Sequence, residues 1–218
     1  MCDSDPRSNS IGRPFDQWRA LGRRFLGWRL ARNLLIGPEE KQWLRIVMNC
    51  ETERLIARLD VSSLSVLEIS GSFWRNRFPF RSYKSVDYPA YDVIDKPLSE
   101  KFDLIIAEQV WEHLLWPARA ARNVKEMLAP GGSFLLTTPF LVRYHPQPED
   151  CTRWTETGLK HFLIESSGFE AQKIQTGSWG NRACVIANFR LWRRYIPLLH
   201  SLKNDKFLPI AVWALAGT

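Results

Sequence analysis

The chain has 218 residues, 45% of them hydrophobic and 12% aromatic, which is enough apolar material for one packed domain and excludes wholesale disorder. Its four cysteines (Cys2, Cys50, Cys151, Cys184) are scattered without a CxxC pair or other metal-ligand spacing, which points away from a zinc site and a disulfide framework and toward reduced thiols, and no metal is expected. A formal net charge of +7 suggests an anionic partner, but the excess is local. It gathers at Arg19, Arg23, Arg24, Arg29 and Arg32, and again at Arg190, Arg193 and Arg194.

Residues 1–13 read as a polar tail. From Pro14 onward, Trp18, Leu21, Phe25 and Trp28 recur at helical spacing with arginines on the other face. Such a basic amphipathic helix either packs its aromatic stripe on the domain or lies in a membrane interface. A second amphipathic helix is expected over 39–59, and residues 1–60 form one unit before the main domain, 61–218. No apolar run approaches the ~20 residues needed to span a bilayer. The opening Asp3-Ser4-Asp5 is unlike a secretory signal. A cytoplasmic protein is expected, with a position peripheral to the membrane left open.

Ser65–Gly71 (Ser-Val-Leu-Glu-Ile-Ser-Gly) reads as a strand buried on both faces, closed by an acid and a small-residue turn. Tyr83–Asp87 is a second strand ending in an acid. The connection between them, Trp74–Arg81, is unusually short for a crossover helix. Phe102–Ala107 is the clearest strand of the chain and runs into Glu108 and Gln109. A helix follows from Trp116 to Leu128, stopped by Pro130-Gly131-Gly132. Next come a strand at Ser133–Thr138, a polar loop at Pro139–Arg153, a helix at Thr155–Ser167 ending at Gly168, and strands at Ala171–Thr176 and Pro209–Ala214. Between those last strands, residues 177–206 form an insertion with a helical, basic and aromatic centre at Asn188–Leu199. It opens at Gly177–Arg182, a lid or acceptor-pocket loop. Strands alternating with helices mean a doubly wound α/β sheet, whose ligands bind at the carboxyl ends of the strands.

Four blocks in order, Val-Leu-Glu-Ile-Ser-Gly, Ser-Val-Asp87, Phe-Asp-Leu-Ile-Ile-Ala-Glu-Gln-Val-Trp-Glu-His and Leu-Ala-Pro-Gly-Gly-Ser-Phe-Leu-Leu-Thr-Thr-Pro, resemble a class I S-adenosylmethionine-dependent methyltransferase, and most the small-molecule type called type 11. The resemblance covers roughly Ser65 to Phe169. It implies a Rossmann-like, mostly parallel sheet with an antiparallel last strand, and S-adenosyl-L-methionine as cofactor. Glu68 and the Ser70-Gly71-Ser72 turn would line its methionine and ribose. Asp87 would accept from both ribose hydroxyls, Asp95 would stand near the adenine amino group, and Glu108 and Gln109 near the sulfonium. In one respect the chain departs from the family. The usual Glu-x-Gly-x-Gly-x-Gly turn here reads Ser70, Ser72 and Trp74 at its glycine places, so Trp74 would either cover the cofactor or block it.

Methyl transfer from a sulfonium needs alignment and exclusion of water more than acid–base chemistry. A base helps where the acceptor is a hydroxyl or a protonated amine. The loop Pro139–Trp154 gathers His145, Asp150 and Arg153, and resembles the His-x-x-Pro-x-Asp-x-x-Arg-aromatic loop of a subset of these enzymes. His145 is expected to be the base or acceptor-orienting group, with Asp150 or Arg153 fixing it or gripping an anionic substrate. The alternative is that Asp150 and Arg153 form a structural ion pair and cap the Thr155 helix. The expected substrate is a small or lipid-linked metabolite, and an anionic membrane surface is a candidate partner. The rival functions are a non-catalytic cofactor-binding partner protein and, third, a nucleic-acid methyltransferase. The third is favoured by charge alone, since Thr137-Thr138-Pro139-Phe140 stands where Asn/Asp-Pro-Pro-aromatic would be required.

Overall fold

A computed structural model describes residues 37–218. The basic helix expected over 14–28 lies outside the described residues. Six strands form one sheet in the order β2-β1-β3-β4-β6-β5. They are β1 (Ser65–Ile69), β2 (Ser82–Val86), β3 (Phe102–Glu108), β4 (Leu128–Pro139), β5 (Ile174–Trp179) and β6 (Ala211–Gly217). β1 pairs in parallel with β2 and β3, and β3 with β4. Only β6, the last strand, runs antiparallel to both its neighbours. The mostly parallel sheet with an antiparallel last strand is therefore the observed fold.

Alternating side chains of the strands feed two cores, as the two-residue period requires. Leu67, Ile105, Phe134, Leu136 and Val212 meet α2 (Pro117–Met127) and α3 (Glu156–Ser167) on one face. Val66, Leu104, Ile106, Leu135 and Trp213 meet α1 (Trp43–Ile56) and the short α4 (Arg182–Asn188) on the other. In α1 the buried residues Trp43, Leu44, Met48, Thr52, Leu55 and Ile56 form a single stripe. Among the described residues, no helix is long and apolar enough to cross a membrane.

The parallel pair β1–β2 lacks a crossover helix; residues 70–81 are turns. An aromatic ladder replaces the apolar face a helix would have provided. Phe73, Trp74, Phe78, Phe80 and Tyr83 contact one another in sequence, with centroid separations from 4.9 to 6.1 Å. Trp74 is fully buried within the α1-side core.

Several sequence expectations are corrected. The helix that begins at Pro117 stops at Met127, and the chain passes straight into β4. Leu128 pairs with Phe102 before a register shift lets Ser133 pair with Leu104. Residues 171–173 are a single 3-10 turn, and the strand after them extends to Trp179, so Gly177–Trp179 belong to the sheet and not to a loop. The helix expected at Asn188–Leu199 is not formed. α4 ends at Asn188, whose amide donates to the Cys184 carbonyl at 2.8 Å. Beyond it the chain is captured as an extended partner of the lead-in to α1, with Trp43 N donating to Arg193 O at 2.7 Å and Tyr195 N to Lys41 O at 2.8 Å. Tertiary pairing here overrides the helical spacing of Phe189, Trp192 and Tyr195.

Gly180 shows how tightly this insertion is tied down. A Cβ there would stand 2.0 Å from the Leu208 carbonyl oxygen, so only glycine lets the two backbones approach.

Candidate functional site

β1, β2 and β3 end together: Ile69 pairs with both Val86 and Ala107. The turns that leave them carry the two non-glycine residues with left-handed backbone among the described residues, Ser70 at φ 65° and Gln109 at φ 56°. Such conformations cost about 1–3 kcal/mol each and cluster where a site requires them. Ser70 thus adopts the positive φ that glycine would normally supply, and Gly71 follows at φ 141°. Two contacts clamp the turn: Ser70 N donates to Val86 O at 2.8 Å, and the Ser85 hydroxyl donates to the Gly71 carbonyl.

Glu68 is buried and holds this turn from beneath. It accepts from Phe73 N at 2.9 Å, from Trp74 N at 3.1 Å and from the Tyr83 hydroxyl. Burial and the Glu68 carboxylate together drive the Tyr83 hydroxyl far above its ordinary pKa. Trp74 also donates from Nε1 to Glu108 at 3.2 Å. The indole is thereby drawn into the core instead of lying over the turn. Thr52 of α1 donates to the other Glu108 oxygen at 2.8 Å, and Arg45 stands 4.0 Å away. Burial raises the Glu108 pKa, and the Arg45 charge opposes that rise.

A cleft of about 220 Å³ opens between the start of α1 and these strand ends, lined by Arg45, Asn49, Glu68, Ser70, Gly71 and Glu108, among others. Arg45 and Asn49 belong to it and carry no motif that marks them in the sequence. Asp87, immediately after β2, is exposed, and its carboxylate accepts no hydrogen bond from any described residue. Asp95 is exposed on a turn begun at Asp92, a segment held against α2 by Asn123, which donates to Val93 O at 2.7 Å. Ser72 is exposed on the same turn as Gly71. The Gln109 amide donates to Thr137 Oγ1 and Met48 Sδ, each at 3.3 Å.

The loop after β4 lines a second cleft of about 300 Å³, with Tyr144, Asp150, Thr152 and Arg153 among its walls. His145, Asp150 and Arg153 come together there. Asp150 takes both guanidinium nitrogens of Arg153, one at 2.7 Å, and the His145 backbone amide at 2.8 Å. Burial works against its charge, but these bonds and the Arg153 charge outweigh it and hold the carboxyl below its usual range. The Asp150–Arg153 pair is thus a structural brace within the loop, and it positions His145. Burial lowers the His145 pKa, so the ring is neutral at neutral pH.

The sequence alone gave no hint of the neighbours of His145. Its ring stands edge-on to His113, centroids 5.2 Å apart, and edge-on to Trp192 at 5.4 Å. Arg143 lies over that same Trp192, 4.8 Å from the ring centroid. The 177–206 insertion therefore touches this loop through Trp192. Glu112, fully buried on the 3-10 turn Trp111–His113, has a carboxyl that burial pushes up to about 8. The charge of Arg45 opposes the effect of burial at both Glu108 and Glu112. Among the described residues, the buried side-chain polar atoms without a partner are Trp111 Nε1, both Glu112 oxygens and Thr138 Oγ1. All of them lie at the carboxyl ends of β3 and β4.

The model of a methyltransferase domain matches residues 34–171. An S-adenosylmethionine-dependent methyltransferase from Archaeoglobus fulgidus shares 13% identity, covers 88% of this chain and 99% of its own, and superposes with a TM-score of 0.54. The N-methyltransferase NodS from Bradyrhizobium japonicum, solved with S-adenosyl-L-homocysteine, shares 16% identity over 87% of this chain and 96% of its own, TM-score 0.50. A methyltransferase from Mesorhizobium loti shares 18% identity over 77% and 97%, TM-score 0.50. At these identities the likeness speaks for the fold. Among curated proteins none matches this sequence.

Proposed function

This chain belongs to the methyltransferase domain family, and from that premise we propose that it transfers a methyl group from S-adenosyl-L-methionine to a small or lipid-linked metabolite. The observation that carries the reading is the pair of left-handed residues, Ser70 and Gln109, held at the mouths of neighbouring parallel strands with a cleft beside them. The residues fit the cofactor. The Ser70-Gly71 turn leaves its backbone open, Trp74 is withdrawn into the core, and Asp87 has a free carboxylate beside the turn. Asp87 would take the two ribose hydroxyls and Asp95 the adenine amino group. Arg45 would face the cofactor's carboxylate, a charge-assisted pairing suited to a guanidinium. Glu108 and Gln109 would flank the sulfonium. When bound, the cofactor supplies an already activated methyl group. His145, neutral and braced by Asp150 and Arg153, would orient the acceptor or remove its proton.

A lipid-linked acceptor is supported by one surface feature. Leu198 is 96% exposed, and Leu199, Leu202 and Phe207 in the same stretch of chain are also exposed, with the exposed basic residues Lys203 and Lys206 between the last two. Apolar tips flanked by lysines suit an anionic lipid surface.

Incubation with tritiated S-adenosylmethionine and a panel of hydroxyl and amine acceptors, some lipid-linked, tests the function. Label in a product is expected. Cofactor binding without transfer to any acceptor would support the non-catalytic partner protein instead. Flotation with vesicles containing phosphatidylserine is expected to carry the protein upward. Failure to float would remove the membrane part of the reading.

A further inference from the structure

We infer that Glu112, His113 and His145 form a binding site for one divalent first-row transition ion, with zinc as the reference case. Glu112 and His113 are neighbours on the 3-10 turn after β3, and His145 comes from the loop after β4, so the fold alone brings the set together. One ligand atom from each residue lies within 4.8 Å of the others.

The independent sign of a ligand is the Glu112 carboxylate, fully buried with neither oxygen accepting a hydrogen bond. A carboxylate taken out of water without donors calls for a cation. His113 Nε2 stands 3.6 Å from Glu112 Oε1. Two ligand atoms on a tetrahedral zinc, each about 2.0–2.2 Å from the metal, are roughly 3.3–3.5 Å apart. This edge of the coordination shell is therefore already close to its bound length.

The other nitrogens of both rings are occupied as metal-binding imidazoles require. His113 Nδ1 lies against the Glu149 carbonyl oxygen. His145 Nδ1 lies 3.1 Å from the Arg143 carbonyl and 3.3 Å from an Arg153 nitrogen, and the shorter contact, to the carbonyl, takes its proton. Each Nδ1 then carries the proton, and each Nε2 keeps its lone pair for the ion. Two imidazole nitrogens with one carboxylate oxygen, and no thiolate, suit zinc or iron(II) over calcium or magnesium. Three protein ligands leave a coordination position open. In the proposed methyl transfer that position would hold an acceptor oxygen or nitrogen, so that His145, as a ligand, would orient the acceptor through the ion and would not itself take its proton. That last role rests on the methyltransferase reading; binding of the ion does not.

The full chain, treated with EDTA and dialysed against limiting Zn²⁺, is expected to retain one zinc. Glu112→Gln, which keeps shape and loses charge, and His145→Ala are each expected to weaken binding by roughly 100-fold, since even outer-shell changes cost about 10–100-fold. Cobalt(II) in the same site should give visible d–d absorption that both variants lose, with circular dichroism showing that they remain folded. No zinc retained by the wild-type chain, or zinc held with unchanged affinity in both variants, would overturn the proposal. Neither readout uses methyl transfer, so failure here leaves the methyltransferase reading standing, and failure of that reading leaves the ion site to be judged separately.

Discussion

Asp87→Ala is expected to weaken binding of S-adenosyl-L-homocysteine by about 5- to 150-fold, or ~1–3 kcal/mol, the scale of hydrogen bonds to a charged acceptor. The carboxylate is exposed and accepts no hydrogen bond from any described residue, so its removal strips no internal support from the sheet. Its value lies in its place: it directly follows Val86, whose carbonyl holds the Ser70 amide at 2.8 Å. Thermal stability without ligand should therefore stay near wild type while the calorimetric dissociation constant rises. A dissociation constant equal to that of the wild-type chain would refute the ribose role.

His145→Ala has the opposite profile. Cofactor affinity should remain within about twofold, because the imidazole bonds to Arg143 and Arg153 of the loop after β4, neither of which lines the first cleft. Turnover on a proton-bearing acceptor should fall by roughly 10²–10⁴-fold, the usual contribution of a positioned acid or base. The substitution leaves the Asp150–Arg153 brace in place, since Asp150 is held through the His145 backbone amide and the guanidinium. A fall in cofactor affinity matching the fall in turnover would mean that His145 shapes the fold of the site and not the reaction.

Much of this architecture could be read from local pattern. The apolar runs of β1 and β3 and the helix between Thr155 and Gly168 announced themselves, because buried parallel strands and capped helices leave one-dimensional signatures. Thr155 indeed caps that helix by accepting from Gly158 N at 3.0 Å, and Gly168 closes it at φ 68°. What escaped was whatever depended on the third dimension. Trp74 reads as an obstacle at a glycine place, but the Glu68 and Glu108 carboxylates draw its backbone and indole into the core. The spacing of Phe189, Trp192 and Tyr195 reads as helix until residues 41–43 capture that backbone. Arg45, Asn49 and Glu112 carry no motif of their own. They reach the site only because α1 packs across the ends of β1 and β3, and because the turn after β3 meets the loop after β4. Asp150 and Arg153 were visible as a pair, and in the fold they bond to each other and Asp150 to the His145 backbone amide.

Every role proposed for these residues requires an adenosyl group in the cleft above the Ser70-Gly71 turn. Calorimetric titration of S-adenosylhomocysteine into the wild-type chain and into Gly71→Val tests this most directly. At φ 141° residue 71 is strained by any side chain, and a Cβ there would stand 3.1 Å from Glu68 Oε1, so a valine would displace the turn. One-to-one binding by the wild-type chain, and its loss in the folded variant, is the predicted result. No binding by the wild-type chain, or equal binding by both proteins, would contradict it.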